Sequence, residues 1–140
     1  MGDLSNTIEI KAPVPKVWET IRDFHDMSWA PGVITDVKKV GNKNGSEIGA
    51  QRILNDAFHE TLIKLDSKGH TFSYTIDDGP DAVSNTSVQS YVGTVKLTPA
   101  GDNTQVEWSA SFNSERDNDV ADFCNPIYRA LLSALKETLS

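Results

Sequence analysis

Arg52 and Glu60 are opposite charges on either side of a short turn. Residues 48–54 and 58–65 have the composition of paired strands around Asn55-Asp56-Ala57. A turn centred on Asp56 sets Leu54 opposite Phe58, Arg52 opposite Glu60 and Ala50 opposite Leu62. Ile48, Ala50 and Leu54 are apolar or small, so this face is predicted to point inward, with Arg52 and Glu60 on an otherwise apolar surface. In a dry site desolvation raises a carboxyl pKa, and a neighbouring guanidinium lowers it. A carboxyl poised in this way can move protons in an isomerisation, a dehydration or an aldol-type cyclisation, while Arg52 holds a carbonyl or an oxyanion. The same two residues can also serve as a cross-strand ion pair that fixes register, or as polar anchors for a ligand that undergoes no chemistry.

A second hairpin brings more side chains to the same interior. Pairing Leu97 with Val106 sets Val95 opposite Trp108, Gly93 opposite Ala110 and Tyr91 opposite Phe112. Tyr91 then faces inward, where its hydroxyl can donate a hydrogen bond. Ala50, Gly93 and Ala110 on the sheet, with Ala130 and Ala134 on the last helix, leave room that large side chains would fill. They fit either a cavity or a close helix–sheet approach. Phe58, Phe72, Tyr74, Phe112 and Tyr128 are the aromatic residues available to line such a pocket, while Trp18 and Trp29 suit packing. Other chemistries find no support. His25, His59 and His70 are scattered, without metal-ligand spacing, so no metal is expected. There is no glycine-rich phosphate loop and no nucleophile elbow, so no cofactor is expected either.

These residues need a scaffold. Residues 4–11 alternate as a half-buried strand, and Val14, Val17, Trp18, Ile21 and Phe24 fall at helical spacing after it. A second short helical turn is predicted over 26–29, before Pro31-Gly32. Strands follow over 33–40, 48–54, 58–65, 71–77, 86–98 and 105–113, with a polar loop at 78–85 placed to gate a cavity mouth. Residues 118–139 form the long element, with Val120, Cys124, Ile127, Leu131, Leu135 and Leu139 on one face and Asn118 as N-cap. Pro126 lies inside this pattern. The apolar stripe continues in phase beyond it, which favours one kinked helix over two. About seven antiparallel strands and one long helix that needs covering make the chain α+β, as a single domain over 1–140.

A net charge of −7 without a basic cluster disfavours nucleic acid and anionic lipid surfaces. No apolar run is long enough to span a membrane, and no secretory signal is visible. The single Cys124 sits on the helical stripe as a buried thiol, which together with these features predicts a cytoplasmic setting.

Ala12-Pro13, Val17-Trp18, Ile21, Asp23-Phe24, Trp29 and Pro31 resemble the opening motif of the START-like superfamily, also called SRPBCC, which contains the polyketide cyclase/dehydrase and lipid-transport domains. Gly49, Arg52, Glu60-Thr61-Leu62, Asp66, Ser73-Tyr74, Gly79-Pro80, Ser90-Tyr91-Val92, Trp108, Tyr128-Arg129-Ala130-Leu131 and Leu135-Lys136 extend the likeness over nearly the whole chain. The resemblance implies a helix-grip fold: a seven-stranded antiparallel sheet curved around the C-terminal helix, two short helices after the first strand, and a hydrophobic cavity in between. It implies a small hydrophobic molecule as partner, with Arg52, Glu60, Phe58, Tyr74, Tyr91, Trp108, Ala110, Phe112, Ile127 and Leu131 as contacts. The middle of the chain is similar to the lachrymatory-factor-synthase branch. That likeness implies a cyclase-, dehydratase- or isomerase-like alternative, with Glu60, Arg52 and Tyr91 as its catalytic residues.

Overall fold

The computed structural model describes residues 2–139. One seven-stranded antiparallel sheet runs in the order β1-β7-β6-β5-β4-β3-β2. Its strands are β1 (Gly2–Ile10), β2 (Val37–Val40), β3 (Gln51–Leu54), β4 (Phe58–Asp66), β5 (Thr71–Asp78), β6 (Gln89–Ala100) and β7 (Asn103–Asn113). Helix α1 (Val14–Ile21) follows β1, and α2 (Asp117–Leu139) closes the chain. With all strands in one sheet, the apolar face must be covered from one side. The buried stripe of α2, formed by Val120, Cys124, Tyr128, Leu131, Leu132 and Leu135, supplies that cover.

Both predicted registers are present, except that Tyr91 and Phe112 are not a ladder pair. Leu54 pairs with Phe58 and Arg52 with Glu60, around a turn in which Asn55 and Asp56 adopt positive φ. Asn and Asp tolerate that conformation better than most residues, so the turn chemistry fixes the pairing. Leu97–Val106, Val95–Trp108 and Gly93–Ala110 also pair as expected. The register shifts between Gln89 and Val92, where Ser90 has a φ of 54°. This bulge carries Tyr91 inward to stack on Phe112, with ring centroids 5.7 Å apart. A further bulge at Ile63 leaves that side chain outside and restores Leu65, rather than Lys64, to the inner face.

Several local expectations need correction. Ile48 is exposed, because Leu62 bonds to both Gly49 and Ala50 and the positive φ of Gly49 breaks the alternation before Ala50. Strand β2 begins only at Val37, since Val33 and Ile34 donate backward to the Ala30 carbonyl in a turn. The segment around 26–29 is a series of turns rather than a second short helix, with Asp26 N–H bonded to Asp23 and Ala30 N–H to Met27. The loop after β5 holds a short 3₁₀ turn, Asp81–Val83, whose Val83 is fully buried. Helix α2 starts at Asp117, so Asn118 lies inside its first turn instead of capping it. Ala130 is exposed, being two residues and thus about 200° around the helix from the buried Tyr128.

Helix α2 runs unbroken through Pro126. The proline has no N–H for the Asp122 carbonyl, so that helical bond is missing. Tertiary bonds hold the helix on either side. Asn6 of β1 donates to Asn125 at 2.8 Å and accepts from Arg129 at 3.1 Å, and Thr138 donates to the Trp29 carbonyl at 2.8 Å. Because the Pro126 side chain is exposed, Pro126→Ala should restore the bond without losing packing. The expected gain is about 2 kcal/mol in denaturant unfolding, the interior proline cost less its restriction of the unfolded chain.

Candidate functional site

The buried charge pair is the polar centre of the interior. Arg52 Nε and Nη2 both donate to Glu60 Oε1, at 2.8 and 2.7 Å. Nη1 donates to the Phe24 carbonyl at 2.8 Å and reaches the Met27 sulfur at 3.5 Å. The guanidinium lies 3.8 Å from the centre of the Phe24 ring, in cation–π contact. Arg52 is 3% exposed and Glu60 5%, so water screens neither charge. Oε2 of Glu60 takes no hydrogen bond from the described residues. Burial raises the Glu60 pKa. The Arg52 charge and hydrogen bond pull it back, and the Asp77 charge adds to the rise.

The chain between α1 and β2 makes this arrangement possible. Asp23 accepts from the His25 N–H at 2.9 Å, turning the chain so that the Phe24 carbonyl and ring both meet Arg52. The Phe24 N–H bonds to the Gly45 carbonyl at 3.0 Å. A Cβ at Gly45 would collide with the Asp23 carboxylate, so this close approach requires glycine.

Beside the ion pair runs a line of buried hydroxyls. Trp108 Nε1 donates to Tyr74 Oη at 2.9 Å. Tyr74 and Tyr128 share a bond of 2.9 Å, and Tyr128 and Tyr91 one of 2.6 Å. The Cys124 thiol lies near Tyr91. Burial raises the pKa of Tyr74, Tyr91, Tyr128 and Cys124, so all four stay protonated at neutral pH. Gly93 creates the space for the first of them, since a Cβ there would lie 2.6 Å from Tyr74 Oη. The room expected from this small residue is therefore occupied by Tyr74.

A cavity of about 30 Å³ remains between sheet and helix. Its walls are Met27, Ile34, Arg52, Leu54, Phe58, Glu60, Tyr74, Ile76, Trp108, Cys124, Ile127, Tyr128 and Leu131. That volume holds about one or two water molecules. Half-buried Phe58, Ile76 and Ile127 reach towards the surface, and the Phe58 ring stands 6.3 Å from Phe123 of α2. Of the residues expected to line the pocket, Arg52, Glu60, Phe58, Tyr74, Trp108, Ile127 and Leu131 do so. Tyr91, Ala110 and Phe112 do not, because Tyr128 and Trp108, stacked at 5.0 Å, stand on the cavity wall. Of the further aromatic residues available for the pocket, Tyr128 lines it and Phe72 does not. A larger groove of about 980 Å³ lies outside, among Asp81, Gln89, Asn113, Arg116 and Asp119. It is open to solvent and does not include the buried pair or the hydroxyl line. Among the described residues no group of three or more His, Cys, Asp or Glu side chains could hold a metal ion, and no helix is long and apolar enough to cross a membrane.

A curved antiparallel sheet gripping a C-terminal helix defines the helix-grip class. The family described as polyketide cyclase / dehydrase and lipid transport matches residues 1–140, and the chain belongs to that family, within the SRPBCC superfamily. A solved protein from Nitrosospira multiformis is 41% identical, with a TM-score of 0.95 over 99% of this chain and 96% of that one. Two more distant structures share the fold. Norcoclaurine synthase from Thalictrum flavum is 14% identical, with a TM-score of 0.72 over 96% of this chain and 84% of its own. Major latex-like protein 151 from Panax ginseng is 15% identical, with a TM-score of 0.81 over 99% and 97%. No curated protein matches the chain.

The Glu60 environment has a consequence for stability. A carboxyl with a raised pKa in the folded state favours folding below its unfolded value, and that contribution is lost as pH rises through the folded value. Chemical unfolding of wild type and Glu60→Gln, followed from pH 4.5, the ordinary value of this carboxyl, to neutrality, isolates the effect. Wild type should lose stability relative to the variant as pH rises; a difference independent of pH would show that Glu60 titrates normally.

Proposed function

We propose that this chain, acting as a single domain in the cytoplasm, binds a small hydrophobic molecule between its sheet and α2. The observation that carries the reading is the small, mostly apolar cavity with a buried ion pair at one wall. Membership of a family whose description includes lipid transport supports it. The buried free thiol of Cys124 supports a reducing compartment. Ligand pockets commonly measure about 300–1,000 Å³, so the cavity of about 30 Å³ is a closed state. A ligand enters by parting Phe58 and Ile76 on the sheet from Phe123 and Ile127 on the helix. Arg52 and Glu60 orient it, and Trp108 and Tyr128 offer it an aromatic face.

A second reading has its own support. Glu60 combines burial, a raised proton affinity and an oxygen without a protein hydrogen bond. Those properties suit a proton carrier in an isomerase-, dehydratase- or cyclase-like reaction, with Arg52 stabilising a developing oxyanion. Tyr91 then acts through Tyr128 rather than on the substrate.

Native mass spectrometry of the purified protein, followed by denaturing release, tests the binding reading. A small apolar molecule retained in stoichiometric amount is the expected result. A protein that emerges empty, and gives no thermal shift with small apolar compounds, contradicts it. For a substrate so identified, Glu60→Gln should abolish turnover and leave binding within a few-fold if the second reading holds.

A further inference from the structure

Arg52 divides the two oxygens of Glu60 between different tasks. A guanidinium can only donate, and Nε and Nη2 both donate to Oε1, at 2.8 and 2.7 Å. Those bonds occupy both lone pairs of Oε1. Oε2 takes no bond from the described residues, and Glu60 stands on the cavity wall. Any proton that Glu60 binds therefore goes to Oε2, the oxygen left for a bound molecule. Ionised, Oε2 only accepts a hydrogen bond; protonated, it also donates one. A carbonyl oxygen has no proton to give, so it pairs with the protonated form alone. Against an ionised Oε2 it would bury two acceptors face to face, neither of them hydrogen-bonded. A hydroxyl both accepts and donates, so it pairs with either form.

We infer that Glu60 Oε2 is the contact for the ligand's oxygen, and that its proton selects which small apolar molecules the cavity takes: ketones or aldehydes as well as alcohols while the proton is present, alcohols alone once it is gone. Glu60 is thereby the specificity-determining residue. The groups around it leave this selection to Glu60. Arg52 of β3 meets it at Oε1 only. Tyr74 of β5 and Tyr128 and Cys124 of α2 share the cavity wall, and burial keeps all three protonated, so what they offer a ligand is the same on either side of neutrality. Asp77 of β5 is exposed and acts on Glu60 through its charge. His25, after α1, is bonded through Nε2 to the Gln51 carbonyl at 2.9 Å and is not on the cavity wall. Burial of Glu60 moves the exchange above the ordinary carboxyl value of 4.5. The inference rests on the binding reading above and adds the chemistry of the ligand's polar end.

Cyclohexanone and cyclohexanol separate the two forms of Glu60, because they are close in size and shape and differ in carbonyl against hydroxyl. Affinities for both are measured by NMR titration of the full chain from pH 4.5 to about 9, the upper range known for buried glutamates. Thermal unfolding is run alongside to establish folding. In wild type the affinity ratio of cyclohexanol to cyclohexanone should rise about fivefold with pH, the worth of one net hydrogen bond. In Glu60→Gln the amide oxygen is needed by Arg52, which leaves the NH₂ group in the place of Oε2. That variant keeps a donor at every pH, so its ratio should stay flat at the acid value of wild type. Asp77→Asn leaves the buried pair intact and removes an exposed charge that raises the Glu60 proton affinity. At low salt its rise should keep its size and move to lower pH. A wild-type ratio that ignores pH, or one that rises equally in folded Glu60→Gln, overturns the inference while binding of the probes upholds the cavity reading. Should Glu60→Gln fail to fold, a rise that Asp77→Asn leaves unmoved overturns it in the same way. If neither compound binds wild type, the cavity reading fails and the inference falls with it.

Discussion

Two opposite charges buried in an apolar interior constrain everything around them. Removing an ion from water costs several kcal/mol even after relaxation, and mutual attraction offsets this only when geometry and remaining hydrogen bonds are good. The Arg52–Glu60 pair meets that condition through its surroundings. The turn chemistry of Asn55 and Asp56 sets the two residues opposite each other. The segment after α1 delivers a carbonyl and an aromatic face to the guanidinium. The glycine at position 45 lets the next loop close over that segment. An ion pair of this kind is weak evidence for stability, since apolar residues of similar volume often serve as well. Its position on a cavity wall gives it a better explanation as part of a site.

The rest of the site follows from how the sheet is covered. Gly93 admits the Tyr74 ring, the Ser90 bulge carries Tyr91 inward, and α2 brings Tyr128 between them. Strand residues and helix residues thus share one hydrogen-bond line. Beyond that line the space between the layers stays incompletely filled, walled by Ile34, Leu54, Ile76, Ile127 and Leu131. Polar satisfaction at one end and loose apolar filling at the other are what a pocket for an amphipathic small molecule requires.

The fold was largely legible because its signals are local and repeated. Alternation and turn residues placed most strands and both hairpin registers, and the 3.6-residue stripe placed α2 despite Pro126. The misses share one physical origin. Bulges and turns shift parity by one residue, and a period-2 pattern cannot reveal where this happens. Gly49 put Ile48 outside, and the turns at 26–34 shortened β2. Within the site, Arg52 and Glu60 were legible because cross-strand neighbours follow from register. Tyr128, Ile127 and Leu131 were expected at the pocket and line it, but the bonding of Tyr128 to the sheet was not legible, since a helix meets a sheet at an angle that neither periodicity specifies. Tyr91, Ala110 and Phe112 were correctly paired or placed on the inner face. The cavity nevertheless excludes them, because it depends on which aromatic rings stand in front.

The central claim is that the space between sheet and helix, at the Arg52–Glu60 end, is where a small apolar molecule binds. Methyl-labelled NMR during titration with benzene tests it most directly. The account predicts shifts confined to Ile34, Leu54, Ile76, Ile127 and Leu131, with Val95, Leu97 and Val106 in the filled part of the core unmoved. Shifts at the outer groove beside Val120, or none at the cavity methyls while benzene binds elsewhere, would contradict it.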